Sequence, residues 1–582
     1  MKDYSFGNNV YELRNARHLS QKELGRLMGV SDKAVSRWEN GSSKPRASLL
    51  PRLADTLGVS LDKLLGGKTA LQDMPTAPAS GDHIPEKCSG KSVTDQIKVN
   101  FIPTESSENG NYLCTWSMQK SVAEALNIPG NNIPERQRNA LSEETLFQEK
   151  LYHPYEQEYR KSLLFLLDDG WDVPYGSDVT AGYEPFGLCE PDAEKFASLG
   201  NTPEERLCGL VSRIKSMGYA GVGLWISPQQ CGLPEFTGVD GDRQYWEEKA
   251  RLSHAAGVRY WKVDWGRQSK TAGYREMMTE CVRKCAPGLL IEHARGIGPF
   301  SRDFTDPTKS LLSEMCERVA YSDFLRTYDV MSPFDDTETY CRVNALLKNA
   351  DYSHMRHGAK GFVNVESQPL VAAGLGFNIG IMTNSYEVRA LLRWQRICPP
   401  FSALQGEYLT SEETLVDRLC FEVDPSWWTK RQWDTFSMTL PVSAARNAKL
   451  PKVEAKGEKP VVLVSAHPQK DALAVATLRR NIDPNSRLIV PADVTVYPKS
   501  IKTTVGVFGY YSSLTLEFRE KLPKRATVWA QCLLDDTAKN ITAQVKVDGN
   551  RVTVDGHALR RLGHKSCETA VSHEPALIIK IC

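Results

Sequence analysis

Three segments of different fold class are predicted along this 582-residue chain. An all-α helix-turn-helix (1–67) is followed by a linker (68–107), a (β/α)8 TIM barrel (108–450) and an antiparallel β-sandwich (451–582). Three observations predict this order. Apolar residues recur at helical spacing in the first segment, short apolar runs alternate with longer amphipathic stretches in the second, and the period falls to two in the third. The length exceeds what one hydrophobic core serves, so division into domains is expected from size alone.

The first segment reads as five short helices. Val10, Leu13, Leu24, Leu27, Met28, Val35, Trp38, Leu50, Leu53 and Leu57 recur at helical spacing. Ser20 and Ser31 stand where N-caps belong, Glu23 completes a capping box with Ser20, and Gly29 separates two helices. Eleven Lys or Arg against seven Asp or Glu give residues 1–67 a charge of +4, within a chain of net charge +1. That excess suits a phosphate backbone. The run LSQKELGRLMGVSDKAVSRWENGSSKP resembles the Cro/CI-like (XRE) repressor family. The resemblance implies that the helix starting near Ser31 enters the DNA major groove, with Asp32, Lys33, Ser36 and Arg37 toward base edges and Gln21 toward a phosphate.

From 68 to 107 the composition shifts to Pro, Ser, Gly, Thr and Asp, as in MPTAPASGDHIPEKCSG, which reads as a linker. Strands are then expected at YLCTW (112–116), SLLFLL (162–167), GVGLWI (221–226), RYWKV (259–263), GLLIEH (288–293), FLRTY (324–328), GFVNV (361–365) and GIMTN (380–384). Helix-like stretches such as PEERLCGLVSRIKSMG lie between them, so eight parallel strands of a barrel are predicted. Beyond 451, alternating runs such as VVLVSAH and ALAVATLRR suggest antiparallel strands, with Asp548-Gly549-Asn550 as a hairpin turn.

Composition narrows the function classes. No stretch approaches the roughly 20 apolar residues of a membrane span, and the N-terminus lacks the apolar core of a secretory signal, so a soluble cytoplasmic protein is expected. Fourteen cysteines are scattered without CxxC pairs and read as free thiols, with no metal or cofactor implied.

Barrel enzymes carry their reacting groups at the C-terminal strand ends. Here those ends are rich in carboxylates: Asp168 and Asp169 after the second strand, Asp264 after the fourth, Glu292 with His293 at the fifth, Asp329 after the sixth and Glu366 after the seventh. Glycoside cleavage needs one ionised and one protonated carboxyl group across the bond. Trp171, Trp225 and Trp265 lie beside strand ends and offer sugar-stacking faces. Lys262 lies two residues before Asp264, so both point to one face of the strand, and the cation keeps the carboxylate ionised.

FLLDDGW, MGYAGVGLWISP, AAGVRYWKVDWGR and LRTYDV, in this order, resemble the α-galactosidase (melibiase) clan, glycoside hydrolase families 27 and 36. The resemblance implies Asp264 as nucleophile and Asp329 as acid/base of a retaining double displacement that needs no metal. It further implies that Asp168 and Asp169 hold sugar hydroxyls, with Lys262 and Arg326 as donors. Ser227 stands where family 36 commonly has Glu, and Gly266 where it often has Asn. Galactose is the default sugar, with N-acetylgalactosamine or an arabinopyranose reached through contacts near Glu292, His293 and Arg295. The expected partners are an α-galactoside or related oligosaccharide and double-stranded DNA. A homo-oligomer is compatible with the sequence, and no membrane is expected. Two further functions stay open: a sugar-sensing transcriptional regulator, and a transglycosylase with a sugar as acceptor.

Overall fold

Ser20 begins the helix α1 (Gln21–Met28): its hydroxyl accepts from the Glu23 amide while the Glu23 carboxylate reaches back to the Ser20 amide. Gly29, at φ 71°, ends α1 in the left-handed conformation that glycine adopts without a Cβ penalty. The chain then enters α2 (Asp32–Glu39) and later α3 (Leu50–Leu57). Val10, Leu24, Met28, Val35, Trp38, Leu53, Ala54, Leu57 and Leu64 form one apolar cluster. Leu27 departs from the expected core and is exposed.

The computed structural model describes residues 10–11, 13–14, 17, 19–39, 43–46, 49–57, 59, 64, 99–177, 184–232, 236–271, 273–294, 318–326, 336–349, 356, 358–382, 385–423, 432–483, 486–564 and 573–582. The chain falls into two units, Met1–Ile97 and Lys98–Cys582.

The second unit opens on residues expected in the linker. The Phe101 amide donates to Gln531, and the Ala538 amide to the Val99 carbonyl. Eight parallel strands follow: β1 (Tyr112–Cys114), β2 (Leu164–Leu167), β3 (Gly221–Ile226), β4 (Tyr260–Val263), β5 (Leu290–His293), β6 (Phe324–Arg326), β7 (Phe362–Asn364) and β8 (Gly380–Ile381). Each lies within the run that predicted it. They are ordered β7-β6-β5-β4-β3-β2-β1-β8. The remaining gap is bridged where Asn364 pairs with Asn378 and the Ser367 amide donates to the Gly380 carbonyl at 2.8 Å.

Side-chain parity sorts the barrel into two apolar layers. Leu113, Phe165, Leu167, Val222, Leu224, Ile226, Trp261, Val263, Ile291, Leu325 and Val363 join the large cluster under the helices. Their alternates Tyr112, Cys114, Leu164, Leu166, Tyr260 and Phe324 form a separate cluster that fills the lumen. The outer helices include α4 (Trp116–Ala125), α5 (Pro203–Ser216), α6 (Val239–Ala256), α7 (Tyr274–Cys285), α8 (Asp336–Asn349), α9 (Pro369–Leu375) and α10 (Tyr386–Ile397). In α5 the reason for a helix is plain: Thr202 and Glu205 form a capping box, Pro203 occupies the first turn, and Leu207, Leu210, Val211 and Ile214 bury one stripe.

The C-terminal sheets correct one expectation. They are mixed rather than antiparallel: Ser443–Arg446 with Val461–Ala466, Ala472–Leu478 with Thr504–Phe508, and Asp493–Val496 with Ser513–Glu517 all pair parallel. Tyr408–Thr410 and Ser443–Arg446, expected in the barrel segment, are strands of the eight-stranded C-terminal sheet. Side chains of that sheet and of the five-stranded one, such as Val464, Val475 and Val507 with Val494, Leu514 and Val554, share one cluster.

Candidate active site

Asp264 follows β4 directly, and the parity that turns Tyr260 and Lys262 into the lumen turns it inward at the mouth. Three donors converge on its Oδ2: the Trp225 indole nitrogen at 3.2 Å, an Arg326 guanidinium nitrogen at 3.4 Å and Lys262 Nζ at 3.9 Å. Oδ1 accepts no hydrogen bond among the described residues. Burial alone would raise the Asp264 pKa, but the Arg326 and Lys262 charges and the indole N–H outweigh it and hold the carboxyl below its ordinary value. The carboxylate is thus ionised, oriented through one oxygen and open at the other. Arg275 of α7 grips the strand end from behind, donating to the Val263 carbonyl at 2.8 Å and the Asp264 carbonyl at 2.5 Å.

The two aspartates after β2 part company. Asp168 turns into the lumen, where its Oδ2 accepts from Lys262 Nζ at 2.8 Å and from the Cys114 thiol at 2.9 Å. Burial and the Arg326 charge act to lower the Lys262 pKa, but the surrounding Asp168 and Asp264 charges carry it well above the ordinary value. Asp169 turns the other way into a two-point ion pair with Arg138, at 2.9 and 2.7 Å. The structure therefore brings Asp168 to Lys262 and Asp264, and Asp169 to Arg138.

Arg326 joins two carboxylates. It is fully buried, and beyond Asp264 it donates to Glu366 Oε2 at 2.6 Å. Glu366 Oε1 is buried and accepts no hydrogen bond among the described residues. Glu292 lies in the lumen with both oxygens occupied: Tyr112 donates at 3.1 Å, Tyr260 at 2.8 Å and Asn364 at 2.7 Å. Burial raises its pKa. His293 takes the opposite face of β5, bonded to Thr279 of α7 at 2.8 Å and edge-on to Tyr321, so its ring packs under the helices. Burial and then the Arg275, Arg318 and Arg283 charges push its pKa well down, leaving a neutral imidazole. Asp329 and Arg295 lie outside the described residues.

Of the three tryptophans, only Trp265 is partly exposed. Trp225 is fully buried and serves Asp264, while Trp171, equally buried, donates to the Trp225 carbonyl at 2.9 Å. Trp265 meets Trp225 and Phe186 edge-to-face, with ring centroids at 5.3 and 4.7 Å. Gln229 ties this rim together, accepting from the Arg267 amide at 2.9 Å and donating to the Phe186 carbonyl at 3.1 Å.

The two departures from the family 36 pattern touch each other. A Cβ on Gly266 would lie 2.4 Å from Ser227 Oγ and 2.8 Å from Pro228 Cδ, so the loops after β3 and β4 close only because residue 266 has no side chain. Gly266→Ala is expected to destabilise the fold by about 1–3 kcal/mol through overpacking. Thermal melts check it, and adding Ser227→Ala, which removes the nearest atom, should recover part of the loss.

In the N-terminal unit, Asp32, Lys33 and Arg37 of α2 are exposed and Ser36 is half-buried. Gln21 donates to Glu39 at 2.7 Å, and Glu39 also pairs with Arg14. Residues 10–64 match the Helix-turn-helix family model. This helix-turn-helix is 32% identical over 63 residues to the HTH-type transcriptional activator BcrR of Enterococcus faecalis, covering 11% of this chain and 31% of that protein. The chain spans between 31% and 64% of the length of the curated relatives it matches. Among solved structures, the helix-turn-helix is similar to the P22 c2 repressor in complex with operator DNA, at 33% identity over 11% of this chain and 96% of that one, with a TM-score of 0.11. A GH27 β-L-arabinopyranosidase from Geobacillus stearothermophilus is similar at 10% identity over 73% of this chain and 91% of that one, with a TM-score of 0.33.

Sequence reasoning missed Cys114, Arg138 and Arg275. Cys114 and Arg138 lie far in the chain from the carboxylates they serve, and Arg275 reaches back from the next helix to the backbone carbonyl of Asp264. Among the described residues no helix is long and apolar enough to cross a membrane.

Proposed function

We propose that the barrel is a retaining α-glycosidase that removes terminal α-linked galactose-type sugars, carried in one chain with a DNA-binding helix-turn-helix. The observation that carries this reading is the Asp264 carboxylate, tied down at Oδ2 by Trp225, Arg326 and Lys262 with Oδ1 uncommitted among the described residues. Oδ1 attacks the anomeric carbon while Asp329 protonates the leaving oxygen. Asp329 then acts as base on the water that releases the sugar. Glu366, held through Oε2 by Arg326, offers its buried Oε1 to a sugar hydroxyl. Asp168 and Lys262 take hydroxyls on the far side of the ring, and Trp265 supplies the apolar face.

Purified chain assayed with aryl α-galactoside and its N-acetylgalactosamine, arabinoside and glucoside counterparts tests the reading. The galactoside should turn over fastest. Failure to cleave any of the four at micromolar enzyme sinks it.

A second reading, a sugar-sensing regulator, draws on the helix-turn-helix match and the exposed Asp32, Lys33 and Arg37. On either reading Lys33→Ala combined with Arg37→Ala should weaken binding to duplex DNA by about tenfold or more and flatten its salt dependence. Fluorescence anisotropy at two salt concentrations reads both. An unchanged affinity would remove DNA binding from this helix.

A further inference from the structure

Cys114 ends β1 with its side chain in the lumen, wholly buried, beside the proposed sugar site. Its thiol donates to Asp168 Oδ2 at 2.9 Å, the oxygen that also takes the Lys262 ammonium at 2.8 Å. Lys262 Nζ lies 3.9 Å from the Cys114 sulfur and 3.9 Å from Asp264 Oδ2. The ammonium therefore stands between two carboxylates and sits closer to Asp168. A lysine ammonium is a point charge on a flexible stem, with three rotatable donors and no acceptor, so its own geometry does not choose between them. The choice falls to whatever fixes Asp168. Oδ1 accepts from the Asp169 amide at 2.9 Å, and the Asp168 amide donates to the Thr115 hydroxyl at 2.8 Å. The second donor to Oδ2 is the thiol.

We propose that Cys114 is a positioning residue: a neutral donor that anchors the Asp168 carboxylate and thereby sets how Lys262 divides its charge between Asp168 and Asp264. A second cation at this place would add to the positive charge of Lys262 and Arg326 and compete for Asp168. A methyl group would leave Oδ2 with the ammonium alone. The thiol also keeps its proton, because burial and then the adjacent Asp168 charge push its pKa well above the ordinary thiol value. The competing view is that Cys114 packs as a small apolar side chain. Serine separates the two, since it retains a donor and little of the apolar character.

The test compares crystal structures and kinetics of the full chain as wild type, Cys114→Ser, Cys114→Ala and, as a buried-thiol control outside the site, Cys398→Ala. In Cys114→Ala, Lys262 Nζ is expected to move away from Asp168 and toward Asp264. KM for the aryl glycoside should rise about tenfold with a smaller change in kcat, the loss of one hydrogen bond to a charged group. Cys114→Ser should restore both the contact and KM to within about twofold of wild type, and Cys398→Ala should match wild type. The kinetic arm rests on the glycosidase reading, but the crystallographic arm does not. Absence of turnover in wild type would defeat that reading while the Lys262 positions still decide the role of Cys114. An unmoved Lys262 in Cys114→Ala, or a serine variant that behaves like alanine, would overturn the proposal.

Discussion

Asp264→Asn is expected to lower kcat for every glycoside the chain cleaves by about 1000-fold or more, without unfolding it. The amide fills the volume of the carboxylate and keeps an oxygen for the Trp225 indole, so the mouth should retain its shape. What it loses is the charge. An amide oxygen is a poor nucleophile, and it no longer offers Arg326 and Lys262 the counter-charge found at 3.4 and 3.9 Å. Initial rates on the best aryl substrate, beside circular-dichroism melts of both proteins, check the two halves of the statement. A variant that retains more than about a tenth of wild-type kcat would show that another group attacks.

Arg326→Met is expected to be the most destabilising single change in the site, at about 3–5 kcal/mol. The guanidinium is fully buried and bonded to both Asp264 and Glu366, and methionine would leave these two buried carboxylates without the cation they share. Adding Glu366→Gln should return part of the loss, because it removes one of the stranded charges. The pH dependence has a definite sign. Asp264 is held below its ordinary value in the folded protein, so its contribution is present above the unfolded value of about 3.9 and is lost as pH falls through the depressed one. Without Arg326 the largest influence opposing burial is lost, and the folded pKa of Asp264 rises. The stability gap between wild type and Arg326→Met should therefore widen as pH rises from acid to neutral. Denaturant melts across that range read it directly.

The barrel was legible because its strands carry their own signal. SLLFLL, GVGLWI and RYWKV are short apolar runs, and the mouth lies wherever such a run ends, so Asp264 and Asp168 could be located from pattern alone. Adjacent residues at a strand end behave differently, as Asp168 and Asp169 illustrate. One faces Lys262 and the other Arg138, and Glu292 and His293 divide in the same way between lumen and helices. Resemblance had grouped each pair, whereas parity separates them. Long-range partners were beyond reach, since nothing near Asp169 in the chain points to Arg138, 31 residues earlier. The parallel pairings of the C-terminal sheets were hidden for a related reason, because a period of two fixes the faces of a strand and not the direction of its neighbour.

On the proposed reading Asp264 forms a covalent bond to the sugar. The most direct measurement incubates the chain with a 2-deoxy-2-fluoro α-galactosyl fluoride, which slows release of the sugar, and follows it with peptide mapping by mass spectrometry. The predicted result is one fluorosugar on the peptide bearing YWKVDWGRQ, with Asp264 as the modified residue and no adduct in Asp264→Asn. An adduct on another carboxylate, or turnover of the aryl galactoside with no adduct at all, would contradict it.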